Sequence, residues 1–166
     1  GGRAMAAARV TVYEVGPRDG LQNEPEVLDV DVRAELIRRL AAAGLPGIEV
    51  ASFVDPRRVP QMAGAEEVIE AVGPIEGAVR AGLALNERGY DRLLATGLDE
   101  VRFAFGVTES FNEWNQGASV EDSIAAARRT VARARGDSVR SAVTLSVAFG
   151  CPFEGEVDPG RVLEIA

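Results

Sequence analysis

The order of local patterns along the sequence predicts an α/β fold built on a parallel sheet. Short apolar runs alternate with amphipathic helical periods about five times, and such alternation implies right-handed crossovers between parallel strands. No linker, low-complexity tract or internal repeat divides the chain. Its 166 residues, 46% of them hydrophobic, suffice for one domain with a real core.

The first run, Val10-Thr11-Val12-Tyr13, alternates as a strand does and is stopped by Gly16-Pro17. In the loop that follows, Gly20 can adopt backbone angles that a Cβ disfavours. Val32, Leu36, Ile37 and Leu40 then recur at helical spacing, with Arg33, Glu35, Arg38 and Arg39 mostly on other faces and Gly44 closing the helix. Ile48 to Val50 is a short strand, and Pro56 and Pro60 make 55–62 a loop before a helix over 65–72. Gly73-Pro74 stops that helix ahead of a third strand, 78–85. Asn86 suits the cap of a helix over 87–96, and a fourth strand covers 101–105. The segment 106–117, with Phe111, Asn112, Trp114, Asn115 and Gln116, reads either as a binding loop or as a local helix over the end of the sheet. Ser119-Val120-Glu121-Asp122 resembles a capping box opening a helix to about Arg135. A fifth strand over 141–149 leads to Cys151, and Asp158-Pro159 opens a last helix that breaks off at Ala166.

Charge narrows the partners. Eighteen basic against 26 acidic residues give a net charge of −8, which argues against nucleic acid or an anionic membrane surface as the main partner. One cysteine excludes an intrachain disulfide and fits a reducing, cytoplasmic compartment. No apolar run approaches the roughly 20 residues that span a bilayer. Residues 1–9 read as a tag-derived or disordered N-terminus, and 10–166 as the domain. There is no histidine, so the commonest acid–base group and transition-metal ligand is absent.

The stretch from Glu14 to Glu24 gathers an arginine, two amides and three acids behind the first strand. A guanidinium there can stabilise a developing oxyanion, and a neighbouring carboxylate can hold a divalent cation. Taken alone, Arg18-Asp19-Gly20 reads first as a polar turn with a surface ion pair. Glu49 stands near the end of the second strand, where an acid faces a sheet's mouth.

Gly16-Pro17-Arg18-Asp19-Gly20-Leu21-Gln22-Asn23-Glu24 closely resembles the first active-site loop of the 3-hydroxy-3-methylglutaryl-CoA lyases. The resemblance continues through 48–54, Val59-Pro60-Gln61-Met62 and the Phe-Gly-Cys-Pro-Phe-Glu-Gly block at 149–155. It implies a (β/α)8 TIM barrel, a fold of eight strand–helix units and typically about 250 residues. This chain covers about the first five units. The missing part of such a barrel carries a His-x-His pair and an asparagine of the metal site, together with a mobile loop bearing a catalytic cysteine. A longer natural protein is therefore expected.

Residue by residue, the resemblance makes Asp19 a ligand of a divalent metal cation (Mg2+ or Mn2+). It places Arg18 at the substrate thioester oxygen and gives Glu49 the orientation of Arg18 or proton handling. Gln22, Ser52 and Asn86 would lie near the acyl-CoA substrate. The plainer readings are loop bracing for Gln22, a backbone bond for Ser52 and a helix cap for Asn86. Cys151 matches a packing thiol, not the mobile-loop cysteine. The implied activity is cleavage of 3-hydroxy-3-methylglutaryl-CoA to acetyl-CoA and acetoacetate by a homodimer. A related acyl-CoA lyase, a Claisen-type synthase and an inactive half-barrel binding module are the alternatives. The synthases usually have Leu-Arg-Asp-Gly-Glu-Gln at this loop; Pro17 and Leu21 favour a lyase.

Overall fold

The computed structural model describes residues 10–166, so the segment read as a tag-derived or disordered N-terminus lies outside the described residues. Five strands, β1 (Tyr13–Glu14), β2 (Gly47–Ser52), β3 (Val79–Leu83), β4 (Glu100–Gly106) and β5 (Arg140–Ser146), alternate with helices α1 (Val30–Ala42), α2 (Ala65–Val72), α3 (Glu87–Ala95), α4 (Glu109–Gln116), α5 (Val120–Gly136) and α6 (Pro159–Ile165). The strands form one parallel sheet in the order β1-β2-β3-β4-β5. This is a partial TIM barrel.

Strands β2 and β4 carry the apolar contacts to the helices. Val50, Val101, Ile37, Val68, Ile69, Tyr90 and Leu93 make one buried layer under α1, α2 and α3, and Phe103 and Phe105 a second under α5. Gly82 is required by that packing: a Cβ there would stand 2.8 Å from both Leu98 and Phe53 side chains.

The opposite face is concave. Three strand spacings separate β1 from β4, about 14 Å in a flat sheet. Yet the Tyr13 hydroxyl reaches Glu100 Oε1 at 3.3 Å, and the Arg102 guanidinium lies 3.6 Å from the centre of the Tyr13 ring. Only a strongly curled sheet brings these side chains together, and that curl creates the site.

Several expectations need correction. Strand β1 is only Tyr13–Glu14; Val10 and Val12 are exposed, because β2 pairs with the chain only from Tyr13 onward. Gly20 is not left-handed: residues 16–20 wind into a single π-helical turn, and Gly20 shares its helical backbone. The segment after β4 is the helix alternative, since α4 occupies 109–116. Strand β5 stops at Ser146, where Val147 takes a positive φ of 54°, leaving Phe149 exposed. Arg33 turns inward and is buried. Its Nη1 donates to the Ala63 carbonyl at 2.6 Å, and burial pushes its pKa down.

Candidate active site

The π-helical turn after β1 sets the site. Asp19 and Arg18 backbone N–H groups both donate to the Val15 carbonyl, at 2.7 and 3.1 Å. Pro17 stands in the first turn, where its missing N–H costs nothing. The Glu14 carboxylate accepts from the Gly16 N–H at 2.6 Å and fixes the entry. Isolated π turns are frequent at functional sites; here one directs Arg18 and Asp19 over the end of the sheet.

Glu49 comes from β2, buried along its whole length. The β2–β3 register shifts between Glu49 and Ala51, an irregularity of the kind that re-aims a side chain. Arg18 Nε donates to Glu49 Oε1 in a very short contact, and Arg18 Nη1 pairs with Asp19 Oδ1 at 2.6 Å. The Glu49 side chain is only 3% exposed, whereas that of Asp19 is 55% exposed. A buried carboxylate is stable only when paired, so Glu49 holds Arg18 in place. Among the described residues Arg18 Nη2 has no hydrogen-bond partner, which leaves N–H groups for a ligand.

Arg18, Asp19, Gln22, Glu49 and Asn86 all line one cavity of about 870 Å³, whose lining also takes in Asp122, Ser123, Ala126 and Arg129 of α5. Leu83, Phe103, Thr144 and Ser146 add to its wall. Asn86 is at the same time the cap of α3, its Oδ1 accepting from the Gly89 N–H at 2.8 Å. Ser52 is not brought to the cavity. It is fully buried at the end of β2, its Oγ without a hydrogen-bond partner among the described residues.

Cys151 is buried, with the Thr108 hydroxyl 3.1 Å from its sulfur and the Phe153 N–H at 3.4 Å. Burial alone would raise the thiol, but hydrogen bonds from Thr108 and from backbone N–H groups outweigh it and hold the pKa below the usual value. It does not line the cavity, in keeping with a packing role.

Reading the sequence missed Arg102, counted only as part of an apolar strand. It lines the cavity, its Nε 3.0 Å from Glu100 Oε1 and 3.8 Å from Glu49 Oε2. The signal was available: a lone charge between Val101 and Phe103, in a strand covered by helices, has only the inner face to occupy.

The donor set also tests the implied metal. Among the described residues no three His, Cys, Asp or Glu side chains converge as a metal centre. Asp19 offers one carboxylate, and one carboxylate does not fix a divalent cation against water. These residues do not by themselves fit a complete metal site.

A family model described as HMGL-like matches residues 9–166. The (R)-citramalyl-CoA lyase of Chloroflexus aurantiacus is 41% identical over 95% of this chain and 53% of its own length. The 3-hydroxy-3-isohexenylglutaryl-CoA/hydroxymethylglutaryl-CoA lyase of Pseudomonas aeruginosa is 40% identical over 95% and 53%. An HMG-CoA lyase of Acinetobacter baumannii, solved in complex with coenzyme A and 3-methylmalate, superposes with a TM-score of 0.89 at 30% identity, covering 93% of this chain and 50% of that one. Further relatives are named as mitochondrial and as cytoplasmic lyases. The chain spans about half the length of the curated relatives it matches. No helix among the described residues is long and apolar enough to cross a membrane.

Proposed function

The chain belongs to the HMGL-like family, and from that premise we propose that it supplies the Arg18 wall of a carbon–carbon lyase site acting on a 3-hydroxyacyl-CoA, with 3-hydroxy-3-methylglutaryl-CoA as substrate. The observation that carries this reading is the Arg18 guanidinium. It is locked on one edge by buried Glu49, yet retains N–H groups without a partner among the described residues at the wall of a cavity large enough for a short acyl chain.

Loss of the proton from the tertiary hydroxyl and cleavage of the adjacent carbon–carbon bond release acetoacetate and leave the enolate of acetyl-CoA. Protonation of the enolate carbon completes acetyl-CoA. The enolate oxygen is the former thioester carbonyl, and charge reaches it only as the bond breaks. Arg18 donates to that oxygen and favours the transition state over the ground state. Glu49 orients Arg18, while Gln22 and Asn86 contact the acyl chain. A divalent cation, magnesium or manganese, would polarise substrate oxygens when bound; Asp19 is the carboxylate this chain would offer toward it, and further ligands would be needed from outside the described residues. The whole enzyme is proposed to be a cytoplasmic homodimer.

A second reading has its own support. The citramalyl-CoA lyase similarity favours a substrate one methylene shorter, cleaved to acetyl-CoA and pyruvate by the same steps. Turnover of the two thioesters, followed as acetoacetate and pyruvate release by the complete protein, decides between them. A higher kcat/KM for 3-hydroxy-3-methylglutaryl-CoA is expected. A higher value for citramalyl-CoA selects the second reading, and no cleavage of either rejects both.

A further inference from the structure

We propose that Arg102 is a positioning residue that fixes Glu49, and through Glu49 the catalytic guanidinium of Arg18. The exchange measurement below stands independently of the lyase reading; the kinetic one rests on it.

The barrel interior is ordinarily filled by bulky apolar side chains. Here the concave face instead carries a chain of charges running from the lower end of the sheet to its mouth. Glu49 uses one carboxylate oxygen on Arg18 Nε. Its other oxygen faces Arg102 Nε at 3.8 Å. With its side chain only 3% exposed, Glu49 has little water to satisfy that oxygen, so Arg102 is the cation that compensates it.

Arg102 can do this because it is held on two sides. Its guanidinium lies 3.6 Å from the Tyr13 ring centre, a cation–π contact across the curl of the sheet. Its Nε also pairs with Glu100 Oε1 at 3.0 Å, and the Tyr13 hydroxyl donates to that same carboxylate oxygen at 3.3 Å. The stack fixes the plane of the guanidinium, and the ion pair fixes its rotation within that plane. Glu49 therefore meets a stationary positive charge on one side and presents a single carboxylate orientation to Arg18 on the other. Strands β1, β2 and β4 each contribute to this arrangement, so it registers whether the sheet is curled correctly.

The test compares Arg102→Ala with wild type. In a 15N spectrum of arginine side chains, the Arg18 Nε–H signal is assigned by its loss in Arg18→Lys. In wild type it is expected to be protected from solvent exchange by the bond to Glu49. In Arg102→Ala it should lose about tenfold in protection and regain it when guanidinium is added to fill the space. Turnover should fall by about 10²-fold in kcat with little change in KM, again with recovery by guanidinium. Tyr13→Leu, which removes the stacking face and no charge, should loosen the same signal and serves if Arg102→Ala fails to fold. Unchanged protection in folded Arg102→Ala or Tyr13→Leu overturns the proposal, as does a loss that guanidinium does not reverse. A wild-type protein that cleaves no 3-hydroxyacyl-CoA overturns the lyase reading instead, and the exchange measurement still decides the role of Arg102.

Discussion

Tyr13 and Tyr90 are the two tyrosines of the chain, and both resist ionisation. Burial is the main cause at each, reinforced by the Glu100 charge beside Tyr13 and by the hydrogen bond from the Tyr90 hydroxyl to Asp137, so each pKa is pushed up to about 12. The neutral phenol is the form the fold prefers. The resulting stabilisation is fully present below the unfolded value near 10 and is lost as pH rises toward 12. Absorbance at 295 nm should stay nearly flat through pH 10.5 and rise only as pH approaches 12; a normal phenolate titration centred near 10 contradicts the desolvation of the two hydroxyls. On the proposed lyase reading, Arg18→Ala in the complete protein should lower kcat by about 10² to 10³ with little change in KM, as loss of one oxyanion donor does. Asp19→Ala should instead respond to added divalent metal, so steady-state kinetics across a metal titration separate the two roles. Arg18, Asp19 and Glu49 could be singled out in the sequence because the first two share a short turn and the third is a lone acid within an apolar strand. Arg102 was not, because its significance depends on a curl that joins β1 to β4 and leaves no mark within β4 itself.

Elements were read well where a local signal marks both ends. Helix α2 runs from Ala65 to Val72 as expected, bounded by Gly64 and Gly73 in positive φ. Asn86, Ser119 and Asp158 each cap a helix through their side chains. Elements whose limits depend on partners were misjudged: β1 is short because β2 offers it only Gly47 and Ile48, and β5 ends where the chain turns at Val147. Helix α4 was ambiguous because its amides suggested a ligand. In fact the buried Asn112 accepts from the Gly106 N–H at 2.9 Å and donates to the Ser123 hydroxyl at 2.8 Å, tying β4 to α5. Asn86 combines a cap with a place in the cavity wall, and two substitutions separate these duties. Asn86→Ala should cost about 1 kcal/mol in urea unfolding. Asn86→Ser should keep most of that stability while raising KM if the amide contacts substrate; an unchanged KM would leave it a cap alone.

On the scale of the whole molecule, five strands curl without closing. Among the described residues β1 and β5 each pair along one side only, and Val143 on β5 is 40% exposed. Unpaired strand edges invite pairing with another chain. The 166-residue chain should therefore sediment as a concentration-dependent mixture of monomer and larger species, and Val143→Lys should shift it toward monomer. A single monomeric boundary at high concentration would show that the open edges are harmless. The sheet has a further consequence, for synthesis. Its strands lie side by side in the order in which the ribosome makes them, so every new strand finds its neighbour already present and adds to a growing edge. No strand has to wait for a distant partner, and translation proceeds from the N-terminus at about 5–20 residues per second, so the Arg18 turn and the strand bearing Glu49 can meet while β4 and Arg102 are still inside the ribosome.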